Sequence, residues 1–102
     1  MFENLEQLIK TIRERKNSSS DKSYTNKHLN DKNLSVSKVK EEISELIESV
    51  EKNSNKIHEA ADVMYHLMVY LVANNIKIED VMNELKKRQK WNTIRIIYLL
   101  KY

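Results

Sequence analysis

No glycine and no proline occur anywhere in the 102 residues of this chain. That absence narrows the possible folds more than any other feature. Glycine supplies the left-handed backbone of tight hairpin turns and phosphate loops, and proline breaks helices and fixes turns. Without glycine there is no P-loop and no dinucleotide-binding fingerprint, and β-hairpins closed by Asn-Gly or Asp-Gly are ruled out. Left-handed positions fall to asparagine, the next most tolerant residue. The sequence therefore predicts helices closed by Asn, and an all-α fold.

Helical spacing of apolar residues supports this along the whole chain. Phe2, Leu5, Leu8, Ile9 and Ile12 mark a first helix ending in the basic run Arg13–Lys16. A polar loop, 17–22, follows and is expected to be mobile. A short helix with Ser23 as its cap is expected over 23–29, broken by Asn30–Asn33, with His28 exposed. Val36, Val39, Ile43, Leu46, Ile47 and Val50 form the stripe of the next helix. The main stripe of the fourth is Ile57, Ala61, Met64, Met68 and Leu71, with Val63, Leu67, Val69, Tyr70 and Val72 apolar around it. A helix apolar on all sides is buried on all sides, so a second subunit is expected to cover part of it. Asn74-Asn75 ends that helix, and a last one is expected from Ile78 to about Lys90. The expected architecture is a four- to five-helix bundle over residues 1–90, completed by a homo-oligomer, with a tail of unknown role at 91–102.

Composition excludes several functions. There is no cysteine, hence no disulfide, thiol catalysis or zinc–thiolate site. No apolar run approaches the length of a membrane span, and the acidic start does not resemble a signal peptide, so a cytoplasmic protein is expected. The net charge of +3 is mild. No basic stripe with interleaved aromatics points to nucleic acid.

Chemistry concentrates in two acidic patterns, Glu41-Glu42-Ile43-Ser44-Glu45 and Glu59-Ala60-Ala61-Asp62. Each places two carboxylates three residues apart, on one helix face. If the chain reverses near Lys52, Glu45 comes opposite Glu59 and Glu42 opposite Asp62. Like charges about 4 Å apart repel by roughly 4 kcal/mol at an effective dielectric near 20. Such a cluster calls for a cation, and all-oxygen ligands suit Mg²⁺, with Mn²⁺ as the alternative. The competing reading is a solvated face. Against it, Glu48 and Glu84 have a Lys or Arg four positions on, in Lys52 and Arg88, whereas Glu42, Glu45, Glu59 and Asp62 have neither. Glu41 points away from the apolar stripe and is the weaker ligand. His58, Asp62 and His66, at four-residue steps, form an alternative transition-metal set. A di-iron reading fails because Asp62 stands where Glu-x-x-His would need its histidine.

Glu-Glu-x-x-Glu followed by Glu-x-x-Asp on successive helices resembles the all-α, MazG-like nucleotide pyrophosphohydrolases. Arg15-Lys16, Ser23-Tyr24-Thr25 with Lys27, Lys38 before the Glu pair, the Glu59–Leu67 stretch and Glu84–Arg88 narrow the resemblance to the phosphoribosyl-ATP pyrophosphohydrolases of histidine biosynthesis. Lys22 and Lys40 stand where that family usually has glycine. The resemblance implies an all-α oligomer that hydrolyses phosphoribosyl-ATP to phosphoribosyl-AMP and pyrophosphate with Mg²⁺. It implies metal ligands at Glu42, Glu45, Glu59 and Asp62, with Glu42 or Glu45 also orienting the attacking water. Lys16, Thr25, Lys27 and Lys38 are the implied substrate-binding residues. A housecleaning nucleoside triphosphate pyrophosphatase is the alternative within this chemistry, and a non-catalytic helical interaction module the alternative outside it.

Overall fold

The structure is a computed structural model that describes residues 1–17 and 24–101, with side chains as far as Gln89. Five helices follow in order: α1 (Glu3–Lys16), α2 (Tyr24–Asn30), α3 (Lys32–Lys52), α4 (Lys56–Ala73) and α5 (Ile78–Lys101). The expected mobile loop and the Ser23 cap lie outside the described residues, apart from Asn17, which closes α1.

Local chemistry sets the helix ends. Glu3 and Glu6 sit in the first turn of α1, and Arg13, Arg15 and Lys16 in its last, each charge opposing the helix dipole. The break after α2 is a single residue rather than the four expected. The Asp31 carboxylate accepts from the Leu34 amide at 3.0 Å, so α3 starts at once with a capped end. Asparagine does the work of glycine at the other ends. Asn53, Asn55 and Asn75 all have positive φ, at 52°, 55° and 59°. After both α3 and α4, the residue past the left-handed Asn donates back five residues, Ser54 to Ser49 and Ile76 to Leu71. This closure satisfies the last carbonyls of each helix. The final helix does not stop near Lys90 but continues to Lys101, because nothing between Lys86 and Lys101 breaks a helix.

The core lies where α1, α2 and the second half of α4 meet the start of α5. It comprises Ile12, Leu29, Met68, Val69, Val72, Ala73 and Ile78, with Leu5, Leu8, Ile9, Tyr65 and Leu71 packed around them. The antiparallel α3–α4 hairpin is the most extensive helix pair.

Much of the expected α3 stripe and the first half of the expected α4 stripe are not core, although Met68 of the latter is, with Leu71 packed against it. Ile43, Ile47 and Val50 of α3 are exposed, and so are Ile57 and Met64 of α4, with Ile57 reaching 89%. The inward line of α3 is instead polar, Ser35, Glu42 and Ser49 at seven-residue steps. His28, expected to be exposed, is 2% accessible. A helix cannot bury its apolar and its acidic face in one small bundle. Here the acidic face turned inward.

Candidate metal centre and its ring cluster

The α3–α4 turn brings the two acidic patterns together. Ligand-capable oxygens of Glu42, Glu45 and Glu59 lie within 4.8 Å of one another, and a second triad joins Glu59 and Asp62 to His58. Glu59 belongs to both. The four acids thus form two overlapping sets rather than one ring at a common height. Asp62 is drawn aside by His58, whose Nε2 lies 3.3 Å from its carboxylate. A cleft of about 210 Å³ beside Glu45, Ser49 and Glu59 opens the cluster to solvent.

Among the described residues, basic partners offset the acids only in part, His58 beside Asp62 and Lys38 near Glu42. Burial, then the charges of Glu45 and Asp62, push the Glu42 carboxyl above its ordinary range. The same order of causes raises Glu59. One buried oxygen of Glu42 and one of Glu59 have no hydrogen-bond partner among the described residues. Orphaned buried oxygens are costly. Three convergent carboxylates, two of them with an unpartnered oxygen among the described residues, are a donor set that suits a hard divalent cation.

Beside the carboxylates stands a cluster of rings. The Tyr24 hydroxyl is 3.3 Å from His66 Nε2, and the same nitrogen is 3.9 Å from Glu42 Oε1. His28 Nδ1 donates to the Tyr24 carbonyl at 2.8 Å, and its ring lies 5.5 Å from that of His66. The Thr25 hydroxyl bonds that of Tyr65. Burial, then His28 and Lys38, hold the His66 imidazole below its usual value.

The implied substrate residues do not all gather here. Lys38 adjoins the cluster, its ammonium 3.2 Å from Glu41 and its charge felt by Glu42. That pairing also accounts for Glu41, which is exposed and stands outside both triads. Thr25 joins through Tyr65, and Lys27 is exposed on α2. Lys16 lies elsewhere, donating to the Val72 carbonyl at 2.9 Å and to Asn75 Oδ1 at the far end of α4. Sequence reasoning missed Tyr65 and the burial of His28. Of the four-residue rhythm His58, Asp62, His66, only His66 is buried; His58 is exposed.

An all-α chain whose central hairpin gathers acids in this way has the form of an all-α nucleotide pyrophosphohydrolase. Residues 5–89 match the family described as phosphoribosyl-ATP pyrophosphohydrolase, and the chain belongs to that family. A phosphoribosyl-ATP pyrophosphatase of Clostridium novyi is 42% identical over 91 residues, 84% of this chain and 81% of the relative. One from Bacillus cereus is 39% identical over 84 residues, 79% of this chain and 78% of the relative. The histidine biosynthesis bifunctional protein HisIE of Caldanaerobacter subterraneus is 40% identical over 94 residues, 87% of this chain and 45% of that protein. No solved structure matches the chain significantly. The family makes this chain a hydrolase. No described helix is long and apolar enough to cross a membrane.

Proposed function

We propose that this chain hydrolyses phosphoribosyl-ATP to phosphoribosyl-AMP and pyrophosphate in cytoplasmic histidine biosynthesis, with Mg²⁺ (or Mn²⁺) held by Glu42, Glu45, Glu59 and Asp62. The observation that carries the metal is the pair of buried oxygens on Glu42 and Glu59, unpartnered among the described residues. Bound there, the cation would neutralise the triphosphate and make a ligated water a better nucleophile.

The chain's own residues supply the rest. Glu42, buried against His66, is the fixed ligand. Glu45 is more open and faces the cleft, so it orients the attacking water and accepts its proton. Water adds across the α–β anhydride: a new P–O bond forms on one side as the bridging oxygen leaves on the other. Lys38 offsets phosphate charge beside the cluster, Thr25 fixes the α2 end of the site, and Lys16 and Lys27 add cationic surface for the substrate.

The domain in this reading spans 1–90, and 91–102 form a tail beyond it. A second copy of the chain covers the apolar face left open by Ile43, Ile47, Val50, Ile57 and Met64. The relatives' shared name supports the substrate. The test is pyrophosphate release from phosphoribosyl-ATP, with and without Mg²⁺, beside a panel of nucleoside triphosphates. Magnesium-dependent turnover of phosphoribosyl-ATP, lost in Glu42→Gln, is the expected result. Turnover of the panel instead would mark a housecleaning enzyme, and no release at all would leave an interaction module.

A further inference from the structure

Another cavity, of about 250 Å³, lies at the opposite end of α4 from the carboxylates, lined by Arg13, Lys16, Asn17, Val72, Asn75, Ile76 and Lys77. Three of these are cations. Arg13 is answered by Glu79, which takes both guanidinium ends at 3.1 and 2.5 Å. Lys16 has no ion pair among the described residues, while Lys77 is near enough to Glu79 for its charge to act on that carboxylate. Lys16 gives two of its three protons to the Val72 carbonyl and Asn75 Oδ1, which fixes the ammonium at the cavity wall with one proton unspent. Lys77 directly precedes α5, whose first turn carries Glu79 and Asp80, so the cationic character of the cavity comes from the side chains of Lys16 and Lys77 beside the Arg13–Glu79 pair.

The cavity's position along α4 is informative. Between Asp62 and Val72 the helix rises roughly 15 Å at 1.5 Å per residue. Tyr65 and His66 lie between, with the Tyr24 ring against both and 51% exposed. Carboxylates, aromatic rings and cations therefore follow one another in order along α4. Phosphoribosyl-ATP has a matching order: a triphosphate, a purine, and a phosphate monoester on the added ribose.

We propose that the Arg13–Lys16–Lys77 cavity binds the terminal phosphate monoester of the phosphoribosyl arm, so that the substrate is held at both ends. This rests on the substrate assigned above, and it separates phosphoribosyl-ATP from ATP, which carries no phosphate at that end. Anchoring by a remote group also places the scissile anhydride over the carboxylates.

Lys77→Ala is the leading variant, because the Lys77 side chain is exposed and makes no hydrogen bond among the described residues. Steady-state kinetics are compared on phosphoribosyl-ATP and on ribosyl-ATP, the same molecule without the terminal phosphate. Wild type is expected to show KM about 10- to 100-fold higher for ribosyl-ATP, the size of a lost charge-assisted contact. Lys77→Ala raises KM for phosphoribosyl-ATP by about tenfold, leaves kcat in place, and does not change ribosyl-ATP turnover. Lys77→Arg restores it. Arg13→Gln repeats the pattern at a second wall of the cavity. Equal losses on both substrates, or no loss on either, overturn the anchor. Wild-type turnover without preference for the phosphorylated arm removes the anchor alone. Absence of any phosphoribosyl-ATP turnover removes the parent assignment, and the anchor with it.

Discussion

His66 on α4 reaches across the hairpin to Glu42 on α3, its Nε2 3.9 Å from the carboxylate, with side chains only 8% and 9% exposed. Tyr24 approaches the same nitrogen from α2. The carboxylate proposed as a metal ligand is thus backed by an imidazole that three helices hold in place. Residues in that relation to a ligand usually change metal affinity or activity by about 10- to 100-fold when removed. His66→Ala is expected to lower magnesium-dependent turnover by about that factor, with partial rescue in His66→Gln. A magnesium titration of kcat on the two variants checks it.

The carboxylate cluster should make the fold sensitive to divalent cations. Ligand that binds only the native state adds about 2.7 kcal/mol at a hundredfold excess over Kd. Thermal denaturation with and without saturating Mg²⁺ is expected to show a clear upward shift in Tm. Glu42→Gln and Glu59→Gln should each abolish most of it, and a shift that survives in both would remove these residues as ligands.

Without metal, the pH dependence has a definite sign. Burial and neighbouring acids raise the Glu42 and Glu59 carboxyls in the folded protein. The native state therefore binds those protons more tightly than the unfolded chain does. Their contribution is full below the ordinary carboxylate pKa and is lost as pH rises through the raised values. In chelator, these two residues are expected to weaken the protein as pH rises above the ordinary carboxylate range. Glu42→Gln should flatten that slope and raise Tm at pH 7, by about 4–8 °C for each kcal/mol relieved. Urea titrations through that rise in pH supply the measurement.

The hairpin turn rests on Asn53, whose φ is 52°. A left-handed residue with an ordinary side chain costs about 1–2 kcal/mol. Asn53→Ala is expected to destabilise the chain by about 1 kcal/mol, while Asn53→Gly is neutral or mildly stabilising. Chemical denaturation of the pair tests this, and because the turn sets the register of Glu45 against Glu59, Asn53→Ala should also weaken the magnesium response.

Exposed apolar residues on the hairpin give the oligomer a test of its own. Ile47 is 55% and Met64 45% exposed in the single chain. Ile47→Lys or Met64→Lys costs little in an isolated subunit but buries a charge in a paired one. Light scattering after size exclusion is expected to show the wild type as a dimer or larger and these variants as monomer.

Much of this was legible in one dimension. The absence of glycine and proline, the apolar spacing and the Asn-rich breaks determine an all-α chain, because helix formation and termination depend on residues within a turn or two of each other. The acid pairs were equally local, since three-residue spacing fixes a shared face whatever else the chain does. Which face turned inward was not local. Ile43, Ile47 and Ile57 have the character of core, yet the tertiary structure leaves them outside and seats Glu42, His66 and His28 within. A small bundle can bury only one face of each helix, and where the others go depends on packing between elements distant in sequence. The same reason separates Lys16 from the acids it was grouped with. Its neighbours in space, Val72 and Asn75, lie more than fifty residues away, and only the docking of α1 on the end of α4 decides that contact.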